Sequence, residues 1–180
     1  LTIATLSIGT IAFRYIETRM VATAGETLAQ TAAEVSDKLD RFLFERHGDA
    51  LMMARTFSVQ SYNQEFQSAY VAELRAAYPD YIWIGATDAR GKIVVATDSS
   101  TIGRDYSAEP WFQAVRNGQG VHMGDVEPFA VMGGPDSIAV TAPIIGPYGE
   151  FLGAVTTRVG IPGLQDVMTR TPPAFRQRAG

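Results

Sequence analysis

The chain has 180 residues, 46% of them hydrophobic and 19% charged, with a formal net charge of -4 from 15 basic and 19 acidic side chains. That length fits one main domain, or two small ones at most, and the apolar content is ample for a core, which excludes a disordered chain. The acidic balance argues against a general nucleic-acid binder, and the absence of cysteine removes disulfide scaffolds, thiol catalysis and thiolate metal sites. The two histidines, His47 and His122, are too far apart in sequence to point to a histidine metal site, so neither metal nor cofactor is expected. The chain starts at Leu1 rather than Met, which reads as a fragment or a processed product.

The run Leu1–Phe13 (LTIATLSIGTIAF) is uncharged and ends at Arg14. As a helix it spans roughly 20 Å, short of the roughly 30 Å of a bilayer core. Three readings compete: the end of a truncated transmembrane helix, a signal-peptide core, and a buried soluble helix. The first is favoured, because no small-x-small cleavage site follows cleanly. From Arg14 to about Ser58 the pattern is amphipathic. Ala24, Leu28, Ala32, Val35, Leu39 and Phe42 step by 4, 4, 3, 4 and 3 along one stripe, and no proline occurs before Pro79. The spacing predicts a helix of about forty residues running on from the membrane segment. One small domain cannot cover it along its whole length, so its membrane-proximal part is expected to pair with a second copy. The alternative is an ordinary core-packing helix broken near Gly48.

Tyr62–Tyr78 reads as a second helix, with Phe66, Tyr70 and Leu74 at four-residue steps and Pro79 as its stop. The period then changes to two. Tyr81–Thr87 is a strand, Asp88-Ala89-Arg90-Gly91 a turn, and Lys92–Thr97 the returning antiparallel strand, followed by a polar loop over Asp98–Ser107. Pro110–Arg116 reads as a short helix closed by Asn117-Gly118. Val121–Val126 and Ser137–Ile145 read as strands, and the Gly146–Gly149 turn leads into a last strand, Glu150–Val159. A helix over about Ile161–Met168 and an exit linker at Thr171-Pro172-Pro173 complete the chain. Sequential hairpins with helices gathered at one end point to an α+β fold: a long N-terminal helix on a five-stranded antiparallel sheet. The expected parts are a membrane-helix end (1–13), a long dimerisation helix (14–60), a helix-and-sheet lobe (61–170) and a linker (171–180).

Several stretches together carry a family resemblance. They are the long helix, the Tyr81–Thr97 hairpin with its Asp-x-x-Gly turn, Ile102-Gly103-Arg104-Asp105-Tyr106-Ser107, Pro110-Trp111-Phe112, and Ala142-Pro143-Ile144 leading by a glycine turn to Phe151-Leu152-Gly153-Ala154-Val155. In this order they resemble a Cache domain, the PAS-like extracytoplasmic sensor module of bacterial transmembrane receptors, over roughly residues 14–170. The resemblance implies an input domain of a histidine kinase foremost, or else of a chemoreceptor or a cyclic-dinucleotide enzyme. It implies residence at the bacterial inner membrane with the domain facing the periplasm or exterior, and a homodimer in the full-length protein.

Amino-acid-binding double Cache domains carry an arginine just before the proline–tryptophan–aromatic triplet and an aspartate five residues after the glycine of the last strand. Here those places hold Glu109 and Arg158, so both charges are inverted, and Phe129 stands where a tyrosine follows the Glu-Pro pair. The implied ligand is a small polar or anionic organic molecule between the sheet and Tyr106–Arg116. Arg158 would supply charge, Trp111 and Phe112 apolar walls, and Tyr106 with Glu109 hydrogen bonds. The other reading pairs Glu109 and Arg158 with each other or with solvent, and makes Trp111 and Phe112 core. Asp125 and Glu127 either bracket a cation or are solvated, His122 either touches a ligand or lies on the surface, and the flexible Ala130–Asp136 segment is placed to cover the pocket. No G-x-S-x-G elbow, Walker loop or H-E-x-x-H occurs, so no enzyme activity is expected. A ligand-free dimerisation ectodomain is the alternative function, and a membrane-anchored enzyme a distant third.

Overall fold

The structure is a computed structural model that describes residues 2–59, 63–129 and 134–160, with side chains from Arg19 onward except Val21, Ala22 and Ala24. The helix expected over Ile161–Met168, the exit linker and most of Ala130–Asp136 lie outside the described residues, as do the side chains of Leu1–Phe13.

Helix α1 covers Thr2–Val59, longer than the spacing predicts and unbroken at Gly48. An isolated helix glycine costs only about 1 kcal/mol relative to alanine, and no proline interrupts the run. The chain forms two compact units, Leu1–Arg41 and Phe42–Gly180. In the first, Leu28 is 70% exposed, Ala32 is exposed, and Val35 and Leu39 are half-buried. Among the described residues no helix is long and apolar enough to cross a membrane.

In the second unit the stripe runs on through Phe42, Arg46, Ala50, Met53 and Phe57, all buried. Helix α2 covers Gln64–Ala77, and its start is capped by the Asn63 side chain, which accepts from the Phe66 amide at 2.9 Å. Its buried residues are Gln67 and Val71, flanked by half-buried Tyr70 and Leu74. Phe66, read as part of the apolar stripe, is instead 41% exposed and stacks on Tyr70 at 6.1 Å. One residue is a rotation of about 100° on a helix, enough to turn a side chain from core to rim.

Strands β1 (Tyr81–Thr87) and β2 (Ile93–Ala96) form the predicted hairpin. Asp88 Oδ1 accepts the amides of Arg90 and Lys92, both at 2.9 Å, and Gly91 supplies the positive φ of +92° that closes the turn. The loop that follows contains a 3₁₀ turn, Ser99–Thr101, capped by Asp98, whose exposed carboxylate is held below its usual pKa by the Ser100 amide and hydroxyl. Then come α3 (Pro110–Arg116), β3 (His122–Pro128), β4 (Asp136–Ile145) and β5 (Phe151–Gly160).

All five strands are antiparallel, in the order β2-β1-β5-β4-β3, so the first and last strands pair at the centre. Alternation gives the sheet two faces. Ile84, Ala86, Val140, Ala142, Val155 and Val159 pack against Phe42–Phe57 and Val71 in the main core. A buried polar group pins this face to α1. The Tyr81 hydroxyl donates to Asp49 Oδ2 at 2.7 Å, and the Arg46 guanidinium lies 5.0 Å from the Tyr81 ring centre and 3.5 Å from Asp49. Burial, then the Asp49 hydrogen bond, raises the Tyr81 pKa well above the usual phenol value. The other face carries Trp83, Gly85, Ala139, Thr141, Thr156 and Arg158, and α3 covers part of it.

Candidate functional site

Helix α3 begins at Pro110, whose fixed φ suits a first helical position, and Glu109 precedes it with a side chain that makes no capping bond. An aromatic dipeptide in so short a helix faces the sheet almost entirely. Phe112 is fully buried among Trp111, Val115, Ala154 and Phe151, with the Phe151 ring 5.8 Å away edge-on. It is core. Trp111, 6% exposed, lies between Tyr106 at 5.8 Å and Phe112 at 6.0 Å, and its outer side forms a cavity wall.

That cavity, of about 340 Å³, lies between α3 and the β3–β4 side of the sheet. Glu109, Trp111, His122, Asp125, Glu127 and Ala139 are among its lining residues. Three carboxylates and, among the described residues, no lysine or arginine line it, and with Glu127 paired to Arg158 the charges of Glu109 and Asp125 make its field favour a positive group. Glu109 and Asp125 make no ion pair among the described residues.

Arg158 does not meet Glu109. It pairs with Glu127, Nη1 to Oε1 at 2.7 Å, and its guanidinium lies 5.1 Å from the centre of the Phe129 ring. The cause is the strand order. Arg158 on β5 stands opposite Ala139 on β4, and Glu127 on β3 opposite Ser137, so two small side chains leave the long arginine a path across β4. Arg158 is 8% exposed, and a charge so buried needs a partner. Phe129, 6% exposed, packs on Trp83 at 5.6 Å, and half-buried Tyr106 touches both this cluster and the Trp111 cluster.

The six residues singled out from sequence therefore occupy one sheet face in different roles. Glu109 and Trp111 line the cavity, Arg158 and Phe129 back it through Glu127, Tyr106 joins the two groups, and Phe112 lies beneath. The bracket of Asp125 and Glu127 around a cation does not form, since Glu127 turns to Arg158, and among the described residues no group of three metal-ligating side chains is placed to hold an ion. Sequence reasoning missed Trp83. Its ring lies so close over Gly85 that a Cβ there would sit 2.3 Å from it, and its Nε1 is buried with no partner among the described residues, as is Ser137 Oγ on the same face. Alternation along Tyr81–Thr87 was the available signal.

No family model and no curated protein matches the sequence. Solved structures do match in fold. The extracellular ligand-binding receptor from Desulfohalobium retbaense superposes with a TM-score of 0.65 at 17% identity, over 78% of this chain and 27% of that one. The sensor domain of the Vibrio cholerae histidine kinase DctB gives 0.63 at 13% identity, over 79% of this chain and 58% of that one. The ligand-binding domain of the Pseudomonas aeruginosa amino-acid chemoreceptor PctC, solved with GABA, gives 0.67 at 12% identity, over 79% and 66%. The fold is that of a Cache-type sensor domain. This chain spans less than two thirds of each of those three chains.

Proposed function

We propose that this Cache-fold chain is the extracytoplasmic input domain of a bacterial transmembrane signalling receptor, anchored at the inner membrane through its N-terminal helix and acting as a homodimer. A histidine kinase is the foremost output module, with a chemoreceptor or cyclic-dinucleotide enzyme as the alternatives. The ligand is a small polar organic molecule bound between α3 and the sheet. The observation that carries this reading is the cavity walled by Trp111 and lined by Glu109, Asp125 and Glu127.

Its charges refine the ligand. A cationic amino group fits against Glu109 and Asp125 beside the Trp111 ring, a favourable place for a cation. A ligand carboxylate reaches Arg158 only by displacing Glu127, so Arg158 acts chiefly by holding Glu127 in place. A thermal-shift screen of diamines, amino acids and dicarboxylates tests this. Amines and amino acids should raise the melting temperature, and Glu109→Gln should abolish that shift while leaving the unliganded melting temperature close to wild type. A shift from dicarboxylates alone, unaffected by Glu109→Gln, would restore the anionic ligand. No shift from any panel favours a ligand-free dimerisation ectodomain.

A further inference from the structure

A second, larger cavity lies on the opposite, helix-bearing face of the sheet. It measures about 570 Å³, within the usual range for small-molecule sites. Its apolar walls include Phe57 in the last turn of α1, Val94 on β2, Ile144 on β4 and Leu152 on β5, with Ile102 at its edge. Phe57 is 2% and Ile144 5% exposed, so the depth of the cavity is continuous with the core, whereas Ile102 is 44% exposed.

The polar groups around it are mostly engaged. Gln64 Nε2 donates to the Val94 carbonyl at 3.2 Å, Thr87 Oγ1 accepts the Ala154 amide at 3.0 Å, and Asp88 Oδ1 accepts two turn amides. Nearby Asp105, bridged to Lys92 through the backbone, accepts the Ser107 amide at 2.8 Å. Lys92 is the exception: it is exposed, it lines the cavity, and although its charge acts on the Asp105 carboxylate it makes no ion pair within 4 Å among the described residues.

An apolar chamber with an exposed ammonium at its edge has the form of a site for an amphiphile. We propose that this cavity binds a second small molecule, a carboxylate with a hydrocarbon body, its head on Lys92 and its body against Phe57, Ile144 and Leu152. The site is separate from the α3-side cavity. Because Phe57 belongs to α1 and Gln64 to α2, an occupant touches both helices directly and stabilises their packing on the sheet.

Calorimetry of the whole chain with octanoate, octanol and octyltrimethylammonium tests the proposal. Octanoate should bind most tightly. Lys92→Met should weaken octanoate about tenfold, the loss of one charged contact, and leave octanol unchanged. Ile102→Trp, which fills the mouth from an exposed position, should abolish binding of both. Circular dichroism of the two variants should match wild type, since both positions are exposed. Absence of octanoate binding, octanoate binding no tighter than octyltrimethylammonium, or wild-type octanoate affinity in either variant overturns the proposal.

Discussion

A guanidinium that is 8% exposed, paired with a carboxylate whose side chain is 55% exposed, makes an asymmetric couple. Removing Glu127 strands a buried charge, whereas removing Arg158 leaves a carboxylate free to turn to water. Glu127→Ala is therefore expected to lower stability by about 2 kcal/mol, with most of the loss recovered in the Glu127→Ala/Arg158→Met double variant. Urea unfolding of the single and double variants checks this. Gly85 is constrained by shape. A Cβ there meets the buried Trp83 ring, so Gly85→Ala should lower stability by about 1–3 kcal/mol in the same assay. At Tyr81 the raised pKa sets a direction with pH. Its contribution is complete below the unfolded phenol pKa of about 10 and is lost as pH rises beyond it. Unfolding measured from about pH 8 to about pH 11 should show wild type losing stability more steeply than Tyr81→Phe.

Among the elements, α1 changes its surroundings along its length. From Phe42 onward its apolar residues are core, whereas earlier in the chain Leu28 is 70% exposed on the same stripe. A second copy packing along Leu28, Ala32, Val35 and Leu39 would cover that stripe. Leu28→Glu is then expected to weaken dimers about tenfold or more in sedimentation of a membrane-bearing or tethered protein. An unaltered association constant sinks this pairing. Helix α3 shows how a short element is held: with one side-chain face and four buried residues, it owes its place to Trp111, Phe112, Ala114 and Val115 rather than to capping.

Over the whole molecule, the central pairing of β1 with β5 joins the hairpin at one end of the sheet to the β3–β4–β5 meander at the other. Those two strands are buried along nearly their full length, so their amides should exchange slowest, and those of edge strand β3, mostly exposed past its bulge, faster. Native-state hydrogen exchange reads this directly. Equal protection of β3 and β5 would contradict it.

The sequence by itself determined the elements and much of their order. The alternation over Tyr81–Thr97 and Ser137–Val159, the Asp88–Gly91 turn and the proline before Trp111 are local signals, and local backbone chemistry answers to them. What gathered Glu109, Trp111 and Arg158 about one site was the family resemblance of the motifs, not the period of two, since Glu109 and Trp111 belong to α3 and its cap. The partner of Arg158 was decided only by tertiary structure. Glu127 lies 31 positions away in sequence and becomes its neighbour because β4 separates their strands and presents Ala139 and Ser137 between them. Phe112 became fully buried while Trp111 kept one side on the cavity, and Phe66 turned outward, for a similar reason. Which side of an amphipathic segment is covered depends on what packs against it, and that is settled by strand order and register.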